Sequence, residues 1–233
     1  MQRRRRPEIM DQPNLDRDEH VRALVGLHRI NVLSRTASIL WPEIARLAGA
    51  RTRTGKPLRI LDVATGGGDT PLALARRAQR VGLPVEIDGC DISAQAIDYA
   101  RSKAETTGTP VRFFQHNALD ERLPAGYDVI CCSLFLHHLA EDEAIGLLKQ
   151  MASAAGSLVL VDDLIRSRQG YLLAVIACHV LSRSRIVRND GPVSVAAAYT
   201  PDEALALAER AGLSGAVLKR HWPRRFLVSW SAQ

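Results

Sequence analysis

A glycine-rich turn in the first third of the chain has the residue types needed to hold a nucleoside. Residues 58–63 form an apolar run, and Gly66, Gly67 and Gly68 follow it just before a helical pattern. Glycines at such a turn let the backbone adopt positive φ and approach a ligand closely. Asp91 ends the next apolar run, where a carboxylate can accept hydrogen bonds from both ribose hydroxyls of a nucleoside.

Two carboxylates beside this turn indicate which kind of nucleoside it holds. A dinucleotide site has the spacing Gly-x-Gly-x-x-Gly, whereas here Ala64, Gly66 and Gly68 alternate. Asp62 lies inside the first strand, and Asp69 lies at the start of the helix. A carboxylate near a helix start repels a pyrophosphate and attracts an ammonium group. The turn therefore favours a nucleoside with an amino-acid end, which argues against a nucleotide-dependent oxidoreductase.

A series of five segments, taken in order and spacing, resembles the class I S-adenosylmethionine-dependent methyltransferases. The resemblance is greatest to the type that serves ubiquinone and menaquinone biosynthesis. The chain departs from the common pattern at Ala64, where a glycine is usual, and at Asn117, where an aspartate is commoner, and both departures occur in the quinone type. The segments are Leu61–Asp69, Gly89–Ser93, Gln115–Ala118, Tyr127–Ile130 and Leu134–Leu139.

The resemblance implies how this chain would hold its cofactor, S-adenosyl-L-methionine. The turn glycines would pass under the methionine part, and Asp62 would hold its amino group. Asp91 would take the ribose hydroxyls, Ile92 would pack on the adenine, and Ser133 would lie close to the sulfonium. The edge of the adenine would contact Asn117 and Ala118. The full set of cofactor residues is Asp62, Ala64, Gly66, Gly68, Asp91, Ile92, Asn117, Ala118 and Ser133.

Two adjacent histidines, His137 and His138, follow the fourth predicted strand and are the candidate catalytic residues. At that place an imidazole would lie near the methyl donor and could deprotonate or orient a substrate hydroxyl. The alternative is structural, with one ring capping the helix that starts near Ala140 and the other packing in the core. The sequence leaves both interpretations open.

We expect no metal ion in the site. Asp162 and Asp163 end the fifth predicted strand, as the paired acids of catechol-type methyltransferases do, but those enzymes need a third oxygen ligand near the next helix. Arg166, Ser167 and Arg168 occupy that stretch instead. One aspartate is therefore expected to face the substrate or to pair with Arg166 or Arg168.

The elements that must position these residues alternate between short apolar runs and helical segments. This alternation predicts βαβ units and a parallel sheet covered on both faces. With the resemblance, the predicted fold is α/β: a doubly wound, mostly parallel, seven-stranded sheet whose last strand is antiparallel. The candidate strands are 58–63, 85–90, 111–114, 127–132, 157–161, 215–220 and 225–230, and the helices between the first five are about 70–82, 93–107 and 140–154.

The length of 233 residues fits one domain better than two. Residues 1–16 are predicted to be a disordered basic arm, with Met10 as an alternative start, and 17–233 a single methyltransferase domain. Residues 185–199 read as an irregular segment. Within the domain the predicted parts are an N-terminal helical lid at 17–50, the cofactor-binding core at 58–163, and substrate-side helices with a C-terminal hairpin at 164–233.

The expected substrate is a small apolar aromatic acceptor, including lipid-like ones, such as a phenol, a hydroquinone or a polyketide product. Residues 171–181 read as a nearly all-apolar helix, which would lie over the methyl donor and line the pocket. Methylation on oxygen is favoured, because a histidine beside the donor suits a hydroxyl. C-methylation of a quinone precursor, or a non-catalytic cofactor-binding protein, are the alternatives.

The amino-acid composition indicates which partners and which cellular compartment to expect. Aromatic residues make up 5% of the chain, too few for a base-stacking surface, so we expect no nucleic-acid partner. We find no apolar run long enough for a transmembrane segment. The four cysteines form no metal pattern and suggest free thiols in a reducing cytoplasm. The chain is expected to be a monomer or a homodimer.

Overall fold

The computed structural model describes residues 1–11, 15–51 and 55–232 of the chain. Seven strands form one sheet in the order β3-β2-β1-β4-β5-β7-β6, flanked by helices, and this confirms the predicted fold. The strands are β1 Leu58–Val63, β2 Val85–Asp91, β3 Val111–Gln115, β4 Tyr127–Ser133, β5 Ala155–Leu164, β6 Val217–His221 and β7 Arg225–Ser231. The helices are α1 Arg17–Ser34, α2 Thr36–Arg51, α3 Asp69–Arg80, α4 Ala94–Thr107, α5 Glu141–Ala154, α6 Arg168–Leu181, α7 Arg185–Ala197 and α8 Pro201–Arg210.

The central strands are buried because both of their faces are covered. Strands β1 to β5 pair in parallel, and β7 runs antiparallel to both β5 and β6. Successive residues of one strand lie on opposite faces of the sheet. Ile60 belongs to the apolar cluster that includes α2 and α3, whereas Leu61 belongs to the cluster that includes α5 and α8. A strand buried on both sides reads as a continuous apolar run, which is why these strands were recognisable in the sequence.

The winding of the sheet places a ligand crevice at the carboxyl ends of β1 and β4. Chain order runs outward from β1 to β3 on one side and from β4 onward on the other. In open α/β sheets, ligands bind at such a switch point. The turn after β1 begins α3 with Gly68, whose φ is 74°, as the N-cap residue. A Cβ at Gly68 would lie 2.7 Å from the ring of Phe113, so glycine is required there.

The segment predicted to be irregular, 185–199, is mostly helical. Its Asn-Asp-Gly-Pro sequence indicates a turn, yet α7 continues through it to Ala197. Close packing against α6 overrides the local preference, because a Cβ at Gly191 would lie 2.2 Å from Sγ of Cys178. Buried Val187 and Val195 anchor the same helix.

The N-terminal arm, which we define as residues 1–11, also differs from the sequence prediction. Instead of being disordered, it lies along α7 and the turn after β4, and it ends in a 3-10 turn at Ile9–Asp11. The backbone N–H of Arg4 donates to the carbonyl of Ala196 at 2.9 Å. Backbone carbonyls of distant segments thus accept hydrogen bonds that the arm, if disordered, would donate to water. Residues 12–14 of the predicted arm lie outside the described residues.

None of the helices in the described ranges combines the length and apolar character that a membrane crossing requires.

Candidate active site

A cavity of about 870 Å³ opens at the carboxyl ends of the central strands. This volume lies near the upper end of the range of ligand pockets, about 300–1,000 Å³, which leaves room for two small molecules. The loops after β1 to β4 line one side, which we call the donor side. The arm, the 3-10 turn Leu136–His138, α6 and α7 line the other, which we call the acceptor side.

Backbone strain is concentrated at this cavity. Among the described residues, four that are not glycine have positive φ, and three of them line the cavity: Ala64, Leu134 and Arg224. Such conformations cost free energy and persist where the surroundings enforce them, often at ligand sites. The strained positions support a functional role for the cavity. No signal in the sequence pointed to Arg224, and Leu134 lay in a resemblance segment that did not indicate its positive φ.

The Asp91 carboxylate on the donor side is oriented by two backbone N–H groups. Gly66 donates to Oδ2 at 2.8 Å, and Ser93 donates to Oδ1 at 2.9 Å. The first of these bonds ties the glycine-rich turn to the end of β2, so the two predicted cofactor elements form one unit. Gly66 itself has a φ of 53° and lines the cavity.

Asp62 is a buried carboxylate in the same part of the cavity. Its Oδ2 accepts a hydrogen bond from the Thr65 hydroxyl at 2.7 Å, and its Oδ1 accepts one from the Cys131 thiol at 3.4 Å. Burial raises the pKa of Asp62 to about 6, although both hydrogen bonds oppose that rise. An ammonium group placed beside this carboxylate would offset the cost of burying its charge.

The remaining donor-side residues include apolar and polar groups suited to an adenine and a sulfonium. Ile92 is 61% exposed although it lines a cavity, so its apolar surface is available to a flat ring. The buried hydroxyl of Ser133, at the end of β4, makes no hydrogen bond with any residue that the structure describes. The Asn117 amide is oriented by a hydrogen bond that its Nδ2 donates to Oδ2 of Asp120 at 2.6 Å. Ala118, the next residue, also lines the cavity. The residues present therefore fit the predicted cofactor.

Two details of the turn differ from the sequence argument. Gly68 caps α3 and packs against Phe113, and Gly67 lines the cavity in its place. Asp69, which was expected to attract an ammonium group, forms an ion pair with Lys103 of α4. Asp62 therefore stays the residue that we predict to hold the cofactor's amino group.

His137 is held on the acceptor side as an ion-paired, buried side chain. Its Nδ1 lies 2.7 Å from Oδ1 of Asp163, whose Oδ2 accepts the backbone N–H of His137 at 2.9 Å. Its Nε2 lies 3.6 Å from Oε1 of Glu8 on the arm. Burial alone would lower the pKa of His137, but the two carboxylates outweigh it and raise that pKa to about 10. A ring that keeps its proton is a poor base, so His137 anchors the site.

His138 has the position expected of a base. Its side chain is 21% exposed and lines the cavity, with the ring stacked on Phe135 at a centroid distance of 5.8 Å. Its Nε2 lies 3.8 Å from the same oxygen of Glu8. The structure thus gives the two histidines different environments, which their adjacent positions in sequence could not show.

The two aspartates at the end of β5 have partners other than those predicted. Asp162 pairs with Arg225 of β7, and Asp163 pairs with His137. Arg166 instead forms an ion pair with Glu203 of α8, in which Nη2 lies 2.6 Å from Oε1. The expected pairing of an aspartate with Arg166 is therefore wrong. Arg225 was missed because its partner is distant in sequence.

A second group of potential metal ligands lies on the acceptor side. Glu8, His137 and His138 bring one ligand atom each within 4.8 Å of one another. The two rings are tilted by 35° with their centroids 4.3 Å apart, and the carboxylates beside His137 favour a proton on the nitrogen that a metal would need. The absence of a metal from the site stays a prediction.

Replacing Asp91 with alanine is expected to weaken binding of S-adenosylmethionine. Hydrogen bonds to a charged group contribute about 1.5–3 kcal/mol, so Kd should rise about 10- to 150-fold. Isothermal titration with the donor and with its demethylated product measures the effect. The matched control is Asp98→Ala, which removes an exposed carboxylate of α4 paired with Arg101. Equal affinity in both variants would contradict the role of Asp91.

Comparisons with known proteins find methyltransferases. A family described as a methyltransferase domain matches residues 60–155. The chain is 31% identical over 172 residues to a demethylmenaquinone methyltransferase of Deinococcus radiodurans, covering 70% of this chain and 67% of the relative. It is 25% identical over 191 residues to a ubiquinone biosynthesis O-methyltransferase of Photorhabdus laumondii, covering 75% of this chain and 70% of the relative.

Among solved structures, the apo form of the S-adenosylmethionine-dependent methyltransferase SibL superposes with a TM-score of 0.67 at 20% identity. The match covers 95% of this chain and 60% of that one, so the chain spans less than two thirds of that structure. This likeness concerns the fold. The chain belongs to the class I S-adenosylmethionine-dependent methyltransferases and resembles their quinone-biosynthesis members.

Proposed function

We propose that the protein transfers a methyl group from S-adenosylmethionine to the hydroxyl of a small apolar aromatic acceptor. The observation that carries this proposal is the single cavity that joins the donor side to an acceptor side containing His138. When bound, the donor supplies a methyl group on a positively charged sulfur, which is already activated for displacement. The chain therefore has to position the two molecules, exclude water and accept a proton.

The acceptor side has the apolar character that such a substrate needs. Leu173, Ala174 and Ala177 of α6 line the cavity, together with Ile165 and Val195. Burying apolar surface contributes about 0.8 kcal/mol per methylene group. An alkyl-bearing phenol should therefore bind more tightly as its chain lengthens, until the pocket is full.

Oxygen is the proposed methyl acceptor because a hydroxyl proton needs a base, and the proposed base is His138, which lines the cavity. C-methylation of a quinone precursor is the second candidate, and the likeness to the Deinococcus demethylmenaquinone methyltransferase favours it. A phenolate directs methyl transfer to either atom, so the orientation of the ring in the pocket decides the product. The four free, buried thiols support a reducing, cytoplasmic setting for this reaction.

Incubation of the protein with labelled donor and a series of 4-alkylphenols and alkylhydroquinones tests the proposal. We expect labelled aryl methyl ethers, a KM that falls with chain length, and the same rate with and without EDTA. Mass spectrometry of the products separates O-methyl from C-methyl compounds. Donor binding without any labelled product would support a non-catalytic cofactor-binding protein, and activity restored by magnesium after EDTA would show a metal requirement.

A further inference from the structure

The arm has two parts that are held in different ways. Ile9 and Met10 pack against a buried apolar cluster built from α1, α6 and α7. Before them, residues 1–7 are exposed except for Arg3, which is half-buried, and we call this segment the strap. Buried apolar contacts give a segment most of its local stability, so the strap is the less stable part of the arm.

Arg3 holds the strap across the acceptor side. Its Nε donates to the carbonyl oxygen of Ala197 at the end of α7, at 2.6 Å, and its Nη2 donates to that of Leu139, directly after the 3-10 turn, at 2.8 Å. The guanidinium also lies over the ring of Tyr199, 3.7 Å from the centroid, and the Tyr199 hydroxyl donates to the same oxygen of Leu139 at 2.9 Å. One side chain therefore joins α7 to the turn that carries the histidine pair.

Arg5 places the strap in the wall of the cavity. Its side chain lines the acceptor side, and its Nη1 donates to the carbonyl oxygen of His138 at 3.0 Å. The same nitrogen lies 2.9 Å from Oε2 of Glu143, but the two side chains are 44% and 48% exposed, so water screens this ion pair. The strap therefore covers the acceptor side through polar contacts near the surface, which can break without unfolding of the domain.

The reaction proposed above requires an acceptor side that opens and closes. An apolar acceptor has to enter and its methylated product has to leave, whereas water has to be excluded while the methyl group is transferred. The donor side is walled by the loops after β1 to β4. Movement of the strap would therefore expose the acceptor side and leave those loops in place.

We propose that the strap is a gate of the acceptor side, which opens to admit the acceptor and closes over it, and that Arg3 fastens the closed state. The inference rests on the proposed function, because that function assigns the acceptor to this side of the cavity. An acceptor that contacts the closed wall stabilises the closed state by mass action, whereas a donor bound on the other side does not. The gate adds no chemical step to the transfer.

Limited proteolysis with trypsin measures how often the strap is open. Trypsin cleaves after arginine, and the strap contains an uninterrupted run of them, Arg3 to Arg6. The protease binds its target as a free, extended segment, so the cleavage rate follows the population of the open state. The demethylated product of the donor replaces the donor, so that no turnover consumes the acceptor. Adding a 4-alkylphenol at about ten times its Kd should then slow the loss of the strap, measured by intact mass, about tenfold.

Arg3→Met removes the hydrogen bonds of the guanidinium and keeps a long apolar side chain. Because hydrogen bonds from a charged group are strong, we expect cleavage after the remaining arginines to become about tenfold faster or more. The matched control is Arg6→Met, since Arg6 is exposed and takes no part in the contacts described above. Pro7 follows Arg6 and makes that bond resistant to trypsin, so the control keeps every cleavable bond and should be cleaved at the wild-type rate.

Deletion of residues 2–6 removes most of the strap and tests its use in the reaction. We expect kcat/KM for the alkylphenol to fall about tenfold or more, which corresponds to about 1.4 kcal/mol of lost interaction, while the donor Kd stays the same. A strap that only stabilises the fold would change the donor Kd and the acceptor kinetics together, and that result would contradict the gate.

Three further results would overturn the inference in a protein that methylates the phenol. They are cleavage that the phenol does not slow, Arg3→Met cleaved no faster than Arg6→Met, and a deletion variant with the wild-type kcat/KM. Protection by the phenol without any methylated product would overturn the proposed function and leave the gate standing. A phenol that neither protects the strap nor reacts would overturn both.

Discussion

Replacing His138 with alanine is expected to lower kcat by about 10²–10⁴-fold while the affinity for S-adenosylmethionine stays unchanged, because general-base assistance contributes that range. The ring lines the acceptor side and lies 3.8 Å from the Glu8 carboxylate. Apart from Ser133, which ends β4 before the 3-10 turn that carries His138, the predicted donor-binding residues lie on other loops, so we expect removal of this ring to leave the donor site intact. Single-turnover assays with an alkylphenol, together with isothermal titration of the donor, measure the two effects separately.

His179→Ala is the matched control for this experiment. His179 is an exposed imidazole on α6, and its Nδ1 lies 2.8 Å from the carbonyl oxygen of Val175 in its own helix. Its loss should change kcat less than twofold, since an ordinary surface change has an effect of about 0.5 kcal/mol or less. If His138→Ala turns over at the wild-type rate, the histidine pair is structural. Proximity and orientation of the two substrates would then carry the step alone.

Removing the Asp162 carboxylate is expected to destabilise the fold by about 3–5 kcal/mol, because breaking a buried ion pair leaves an uncompensated charge. Asp162 and Arg225 join β5 to β7, and their side chains are 0% and 1% exposed. Arg225 also donates to the hydroxyl of Thr36 at 3.3 Å, which ties the pair to α2. Urea denaturation of Asp162→Ala should show a lower midpoint with an unchanged m-value.

The double variant Asp162→Leu with Arg225→Met should recover most of the lost stability, since apolar residues of similar volume often replace a buried ion pair at little cost. Glu141→Ala is the control, because its ion pair with Arg210 is largely exposed, at 62% and 53%, and contributes about 0–1 kcal/mol. A single variant as stable as this control would mean that water reaches the pair and screens it.

Local chemistry in the sequence, together with the resemblance to a known family, predicted the fold and the candidate donor side. The strands are apolar runs because both faces of the central sheet are buried, and the glycine-rich turn needs residues that tolerate positive φ. Asp62 lies within β1, and Asp91 ends β2. These two strands are parallel neighbours, and ligands bind at the edge of the sheet where parallel strands have their carboxyl ends. These features depend on residues close together in the chain, or on a repeated βαβ pattern.

The sequence predicted the histidine pair and the apolar helix of the acceptor side, but tertiary structure decided the contacts that arrange them. The helical state of α7 depends on Gly191 meeting Cys178 of another helix, and the order of the arm depends on Asp190 and on carbonyls far along the chain. The partner of Asp162 is on β7, and the carboxylate that distinguishes His138 from His137 arrives from Glu8. Charge pairing between segments more than sixty residues apart has no local pattern, because its energy exists only once the sheet has brought the partners together.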